Sequence, residues 1–185
     1  IMAVYMGLFY GFLALGQYTL GQIEAGTAWW VSVITATAVS LSVLPLVLTR
    51  SPAPENHVVN AMSLRDVFKV SPAGAVGAFG SGVILGLSYG YFPAYLIGES
   101  LPRETVGAFV AVATLGGMAL QYPLGRLSDR MDRRSLLAIL SLTMALLVAA
   151  LSHWLPRVPE WLALLSLFGL GGLAYCIYPI SVSHA

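Results

Sequence analysis

The sequence predicts an all-α fold, a polytopic membrane protein with six transmembrane helices, and both composition and charge spacing support this prediction. Hydrophobic residues make up 58% of the 185 residues and charged residues only 9%, whereas roughly a quarter of the residues in a soluble domain are charged. The mean hydropathy is +0.82. The charged residues lie between apolar segments, each with about the 20 residues that a spanning helix needs.

The six predicted spans contain no Asp, Glu, Lys or Arg, and they cover residues 2–22, 27–49, 72–97, 105–125, 135–155 and 161–183. An ionised side chain at the centre of a bilayer costs at least about 2.5 kcal/mol, so the charges are confined to the connections. The spans lack the alternation of polar and apolar residues that marks a membrane β-strand. Helices are therefore favoured over a β-barrel.

The connection 51–71 between the second and third spans contains a helix-start signal. Ser63 is followed three residues later by Asp66, as in a capping box, and apolar residues then recur at helical spacing. The segment 63–69 is therefore either a short amphipathic helix at the membrane interface or a frayed loop.

The third span contains glycines spaced four residues apart. Gly82, Gly86 and Gly90 precede Pro93. Such a stripe lets neighbouring backbones approach closely, and glycine with proline also makes a helix easier to bend. Tight packing and a flexible gate are both compatible with this pattern.

The basic residues predict which connections face the cytoplasm. Seven of the nine lie in the connections 50–71 and 125–134, and two lie on the other side. Because cytoplasmic connections carry the excess of Lys and Arg, these two connections are predicted to be cytoplasmic. The seven are Arg50, Arg65, Lys69, Arg126, Arg130, Arg133 and Arg134, and the two are Arg103 and Arg157.

The cytoplasmic corner 123–134 has the sequence PLGRLSDRMDRR. Pro123 and Gly125 are expected to end the fourth span there, and Asp132 or Ser135 to cap the fifth. The spacing of this stretch resembles the loop motif of the major facilitator superfamily, written G-x-L-x-D-r-x-g-r-[RK], with Asp132 where glycine is common. The matching residues are Gly125, Leu127, Asp129, Arg130, Arg133 and Arg134. Together with the stretches 5–22, 80–96 and 171–185, the motif resembles the YcaD-like bacterial subfamily.

This resemblance implies that the six spans correspond to helices five to ten of a twelve-helix major-facilitator-type fold. Residues 1–50 would be the last two helices of an N-terminal bundle, 51–71 a cytoplasmic linker, and 72–185 the first four helices of a C-terminal bundle. The implied activity is that of a secondary active transporter, which moves a small molecule across the bacterial inner (plasma) membrane by alternating access.

The resemblance also implies that the motif 125–134 is a cytoplasmic gating loop. In the family, the aspartate at the position of Asp129 engages the N-terminal end of a neighbouring helix and a partner arginine, which braces the two halves while the outer side is open. The alternative is that these residues only fix topology and cap the following helix.

Polar side chains within the spans are the candidates for substrate binding, because the superfamily binds substrate between its halves near the bilayer centre. The candidates are Gln17, Tyr89, Gln121, Tyr175 and Tyr178. For each of them, hydrogen bonding between helices is the alternative role. The lining fits a neutral or amphipathic small molecule, and coupling to a proton or sodium ion would require an ionisable residue outside these six spans.

Other functions find less support in the sequence. An intramembrane hydrolase would need a base beside its nucleophile, and no His or carboxylate is placed to activate Ser81. His57, His153 and His184 are scattered, so neither a metal ion nor an organic cofactor is predicted, and the protein is not expected to be an enzyme. Membrane lipid is the expected surrounding partner and nucleic acid is not. A non-transporting membrane scaffold or sensor derived from a transporter fold is the alternative function.

Overall fold

A computed structural model describes residues 2–23, 28–48, 63–154 and 158–182, which leaves Arg50, His57, Arg157 and His184 outside the described residues. All regular structure in these ranges is helical. The helices are α1 (Met2–Gly21), α2 (Ala28–Leu48), α3 (Leu64–Val70), α4 (Pro72–Gly86), α5 (Phe92–Gly98), α6 (Arg103–Ser128), α7 (Arg133–Trp154) and α8 (Glu160–Val182), and a π-helical turn, Leu87–Tyr91, joins α4 to α5.

Six long helical segments occupy the six predicted spans. Four of them are long and apolar enough to cross a membrane within the described residues: Pro72–Gly98, Arg103–Ser128, Arg133–Ser152 and Glu160–Val182. In α2 the stretch Trp29–Pro45 is apolar but shorter. The 20 residues of α1 extend about 30 Å at 1.5 Å per residue, which matches the hydrocarbon core of a bilayer. The predicted all-α, polytopic membrane fold is confirmed.

The chain forms two compact units, residues 1–22 with 63–185, and residues 23–62. The second unit contains α2. The first unit contains all the other helices, and it is the part in which the contacts between helices are described below.

The helix-start signal in the connection before the third span is confirmed. Oγ of Ser63 accepts a hydrogen bond from the backbone N–H of Asp66 at 3.3 Å and donates to the Asp66 carboxylate at 2.7 Å, and α3 begins at the next residue. Ser71 then caps α4 by accepting from the N–H of Gly74 at 3.3 Å. Of the two alternatives for residues 63–69, a helix is therefore correct.

The charged corner is shorter than the sequence predicts. Pro123 does not end its helix, because α6 continues through it to Ser128 and Asp129 is the C-cap residue. A transmembrane helix tolerates proline where neighbouring groups satisfy the freed carbonyl, so the ring does not force an end. The motif 125–134 therefore spans the last turn of α6, a corner of only four residues, 129–132, and the start of α7.

Contacts between glycines and neighbouring helices fix the directions of packing. Gly21 at the end of α1 lies against Gly107 near the start of α6, so these two helices run antiparallel. Gly77 of α4 lies against Ser181 of α8, which is also an antiparallel contact. The starts of α1, α4 and α7 and the ends of α6 and α8 therefore lie at one end of the unit, where the basic residues predict the cytoplasm.

Two apolar cores hold this unit together. The core beside the α5–α6 connection contains Leu96, Val106, Phe109, Val110, Ala163 and Leu167. The core at the predicted cytoplasmic end contains Leu136, Leu137, Leu140, Cys176, Ile177 and Ile180. Both cores include α8, so α8 is the helix around which α4, α6 and α7 assemble.

The α6–α8 crossing brings the two backbones into direct contact. A Cβ atom on Gly116 would overlap the carbonyl of Phe168, and one on Gly171 would overlap the carbonyl of Ala113. A Cβ atom on Gly117 would likewise overlap Tyr175. Small residues at transmembrane crossings allow such close approach. A residue larger than glycine therefore does not fit at these three positions.

The glycine stripe of the third span behaves differently. No atom of the described residues lies within 4 Å of a Cβ position on Gly82, Gly86 or Gly90. At the end of the π-helical turn, which contains Gly90, the N–H of Phe92 bonds to the carbonyl of Leu87, five residues earlier. Such turns commonly occur at functional sites in helices. Within the described chain, the stripe accompanies irregular backbone rather than a helix crossing.

Candidate functional site

The charged corner of the motif is built from two helix ends. The N–H of Asp129 bonds to the carbonyl of Gly125 at 3.1 Å and closes α6, and the carboxylate of Asp129 is exposed. The carboxylate of Asp132 caps α7, because it accepts from the N–H of Ser135 at 3.0 Å and from the Ser135 hydroxyl at 2.9 Å. These hydrogen bonds, first that from the Ser135 N–H, lower the pKa of Asp132. Of the two predicted capping residues, Asp132 is the one that caps.

Beside this corner, a cavity of about 310 Å³ lies among the ends of α6 and α8 and the start of α7. Its lining includes Gln121, Tyr122, Arg126, Asp129 and Arg133. Arg126 folds back along α6, so that its guanidinium carbon lies 4.7 Å from the centre of the Tyr122 ring. This cavity combines positive charge, a carboxylate and polar uncharged groups.

Three tyrosine rings meet where the π-helical turn, α1 and α8 come together. The ring centres of Tyr10 and Tyr175 are 5.2 Å apart, and those of Tyr89 and Tyr175 are 5.7 Å apart. Tyr175 is only 2% exposed and Tyr10 is 7% exposed, whereas Tyr89 is 39% exposed. Tyr175 is thus the buried centre of the cluster, and Tyr89 is the member that presents a face to the outside.

Gln17 forms a hydrogen bond between α1 and α6. Oγ1 of Thr114, which is fully buried, donates to Oε1 of Gln17 at 2.6 Å. The bond lies between the Gly21–Gly107 contact and the place where a Cβ atom on Gly11 would lie 3.4 Å from the sulfur of Met118. Gln17 therefore makes a hydrogen bond between two helices, which is one of the two roles that the sequence predicts for it.

The five predicted substrate residues do not form one cluster. Tyr89 and Tyr175 touch each other, Gln121 lines the cavity beside the charged corner, and Gln17 lies on the α1–α6 contact. Tyr178 of α8 is 43% exposed. The arrangement therefore has two polar regions, the tyrosine cluster and the cavity.

The sequence analysis missed three features of this unit, namely the role of Thr114, the role of Tyr10 and the α6–α8 crossing. No sequence pattern marks Thr114 as a hydrogen-bonding residue, because a single hydroxyl in an apolar span does not reveal its partner. Tyr10 is one of several aromatic residues in its helix and reads as ordinary packing. The glycine pairs at 116–117 and 171–172, each inside a span, are a signal that could have predicted the α6–α8 crossing.

Comparison with known proteins agrees with this architecture. The family model described as the Major Facilitator Superfamily matches residues 1–185, the whole chain. The chain is 28% identical over 187 residues to a protein of Salmonella dublin and 29% identical over 192 residues to one of Escherichia coli O7:K1, both described as an uncharacterized MFS-type transporter YcaD. These alignments cover all of this chain and 46% and 47% of the relatives, so the chain spans about half the length of the curated relatives it matches. No solved structure matches.

The family match extends over every helix described above and includes the motif at the charged corner. Relatives from bacteria and several apolar helices identify a multi-pass protein of the bacterial inner membrane. The chain belongs to the major facilitator superfamily.

Proposed function

We propose that this chain is part of a secondary active transporter that moves a small molecule across the membrane by alternating access. The observation that carries the proposal is the difference between two helix contacts. The α1–α6 contact joins backbones at Gly21 and Gly107 and adds the hydrogen bond from Thr114 to Gln17. In the α6–α8 contact, by contrast, glycines of each helix lie directly against backbone carbonyls of the other helix.

A carrier of this kind needs rigid parts and a contact that changes between states. The α6–α8 crossing supplies rigidity, because its backbones are so close that a Cβ atom on Gly116 or Gly171 would overlap a carbonyl of the other helix. The α1–α6 crossing opposes separation of its helices less strongly. Two glycines face each other there, and the one hydrogen bond that must break is of a kind worth about 0.6 kcal/mol on average in membranes. We place the moving boundary between residues 1–50 and 72–185 at this contact.

The motif at the charged corner is proposed as the cytoplasmic gate. Because α1 and α6 run antiparallel, the amino-terminal end of α1 and the carboxyl-terminal end of α6, where Asp129 lies, are at the same end of the unit. The N-terminal end of a helix carries partial positive charge and favours a carboxylate. We propose that Asp129 engages such a helix end, and that the motif arginines around it stabilise the closed gate. The motif residues are Gly125, Leu127, Asp129, Arg130, Arg133 and Arg134.

The proposed substrate contacts are Gln17, Tyr89, Gln121, Tyr175 and Tyr178, and Tyr89 is the best placed of them. It is partly exposed, lies in the π-helical turn and rests on the buried Tyr175. Tyrosine offers an aromatic face together with a hydroxyl group. This lining supports a neutral or amphipathic small molecule as substrate, with a proton or sodium ion as the candidate coupling ion. We propose no enzymatic activity.

The test is flux through the full-length protein in membrane vesicles, measured with a panel of metabolites and drugs under imposed pH and sodium gradients. Asp129→Asn should reduce flux of every substrate at normal expression, whereas Tyr89→Phe should change selectivity among substrates. Tyr91→Phe is the matched control, because Tyr91 lies in the same π-helical turn and stacks on Tyr95, away from Tyr175.

If no compound crosses under either gradient, the transporter proposal fails and the scaffold or sensor function gains support. If Tyr91→Phe changes selectivity as strongly as Tyr89→Phe, the assignment of Tyr89 to the substrate path is wrong.

A further inference from the structure

A residue of the cavity beside the charged corner carries an unsatisfied polar atom. Oε1 of Gln121 is buried and has no hydrogen-bond partner, the one such side-chain atom among the described residues. A buried carbonyl oxygen without a donor is destabilising, because it has lost its hydrogen bonds to water. Another part of the same residue lines this cavity of about 310 Å³, so a rotation of the Gln121 side chain would present its amide to a bound molecule.

The same cavity presents guanidinium groups. Arg126 and Arg133 both line it, and the stacking of Arg126 on Tyr122 places its positive charge about one helical turn deeper than its own Cα. Guanidinium groups match the geometry of phosphate oxygens and form charge-assisted hydrogen bonds with them. Asp129 also lines the cavity, so the lining carries two positive charges and one negative charge. A phosphate group with hydroxyls beside it suits this mixture, because a hydroxyl can donate to a carboxylate or to an amide oxygen.

We propose that this cavity binds a hydroxyl-bearing phosphate, with its oxygens on Arg126 and Arg133 and a hydroxyl donating to Oε1 of Gln121. Tyr122 and Arg126 are both exposed, so the ligand enters from outside the helix bundle. The phosphate can come from the head group of phosphatidylglycerol in the cytoplasmic leaflet or from a soluble phosphate ester. The cavity shares Gln121, Asp129 and Arg133 with the proposed substrate contacts and gate. Thermal unfolding measures binding without any flux, so this proposal and the proposed transport function can fail separately.

The experiment uses the full-length protein, purified and delipidated in detergent, with thermal unfolding as the readout of ligand binding. Four probes are titrated: phosphatidylglycerol, phosphatidylmethanol, phosphatidylcholine and glycerol phosphate. Phosphatidylmethanol keeps the charged phosphodiester but has no head-group hydroxyl, so it isolates the contribution of Gln121. Glycerol phosphate tests the soluble source.

Three variants test the assignment. We expect Arg126→Gln to weaken binding about tenfold, because a charge-assisted hydrogen bond is lost. We expect Gln121→Leu to reduce the affinity for phosphatidylglycerol to that for phosphatidylmethanol. Arg65→Gln is the matched control, since Arg65 is an exposed arginine of α3 outside the cavity lining, and it should bind as the unchanged protein does.

Tighter binding of phosphatidylglycerol than of phosphatidylcholine, lost in Arg126→Gln, supports a lipid source. Binding of glycerol phosphate with the same dependence on Arg126 supports a soluble source. The proposal is overturned if neither phosphatidylglycerol nor glycerol phosphate binds the unchanged protein more tightly than it binds Arg126→Gln. It is also overturned if Arg65→Gln weakens binding as much as Arg126→Gln does. A loss of binding in Arg126→Gln is not misfolding if this variant, without ligand, unfolds at the temperature of the unchanged protein. If it does not, Arg126→Lys, which keeps the charge but not the fork of guanidinium donors, replaces it in the test.

Discussion

Substitution of Gly107 by alanine tests whether the α1–α6 contact is the one that changes between transport states. A Cβ atom there would lie 2.7 Å from Cα of Gly21 and 3.0 Å from the carbonyl oxygen of Gln17. Ordinary contacts of a Cβ atom begin at 3.4 Å, so the two helices must separate by 3.4 − 2.7 = 0.7 Å. Both obstacles are backbone atoms, which cannot rotate away as the end of a side chain can.

The energetic consequence for the contact comes from overpacking, which costs about 1–3 kcal/mol in a well-packed contact. The gain in helix propensity, up to about 1 kcal/mol, is the same whether or not α1 and α6 touch, because α6 stays helical in both states. We therefore expect the α1–α6 contact to weaken by about 1–3 kcal/mol, a several-fold or larger shift in the population of states that keep it. The substitution therefore raises the population of states in which α1 and α6 are separated.

The assay measures distances between spin labels on α1 and α6 in the full-length protein, together with substrate flux. Gly16→Ala is the matched control, because no atom of the described residues lies within 4 Å of its Cβ position and it carries only the gain in helix propensity. We expect Gly107→Ala to broaden or lengthen the distance distribution and to change flux, and Gly16→Ala to leave both unchanged. The reasoning is refuted if the two variants give the same distances and the same flux.

Three further predictions concern the rest of the first unit. Thr114→Val should lower the free energy of unfolding in mixed micelles by about 0.6–1.7 kcal/mol, because it removes the hydrogen bond between α1 and α6, and a change outside that range in either direction would contradict this role. Gly171→Ala should destabilise the protein more than Gly107→Ala does, since its Cβ atom would overlap a backbone carbonyl of α6; equal unfolding midpoints would contradict the rigid α6–α8 crossing. The cap of α7 should weaken on acidification: the pKa of Asp132 is lowered by its hydrogen bonds to Ser135, so its contribution is complete above the ordinary carboxyl pKa of about 3.9 and is lost as the pH falls through the lowered value. Amide hydrogen exchange at the start of α7, corrected for intrinsic rates, should therefore accelerate in acid, and Asp132→Asn should abolish that dependence.

Local signals predicted the secondary structure well where a single physical cause decides it. Charge-free segments predicted the long helices because an ionised group in the bilayer is costly whatever the neighbours are. The Ser63 and Asp132 caps were predictable because a cap involves only residues within one turn. The expected end of α6 at Pro123 was wrong, because a transmembrane helix tolerates a proline when its surroundings satisfy the freed carbonyl, which no local pattern reports.

The candidate site was predictable as a set of residue types but not as a set of contacts. Gln17, Tyr89, Gln121 and Tyr175 stand out because polar side chains are rare in apolar spans. Their roles depend on partners in other helices: a threonine for Gln17, two tyrosines for Tyr175 and a cavity wall for Gln121. These partners are separated by many residues, so the sequence names the candidates and leaves their grouping open.

The sequence by itself determined that this protein is helical, lies in a membrane and carries the superfamily motif at a charged corner. The cost of burying charge and the short range of helix caps act through neighbours in the chain, which is why they can be read from it. Only the tertiary structure decided which glycines touch. Gly82, Gly86 and Gly90 form the more regular stripe, yet Gly107, Gly116 and Gly171 make the backbone contacts, because close approach depends on which face of each helix meets another helix.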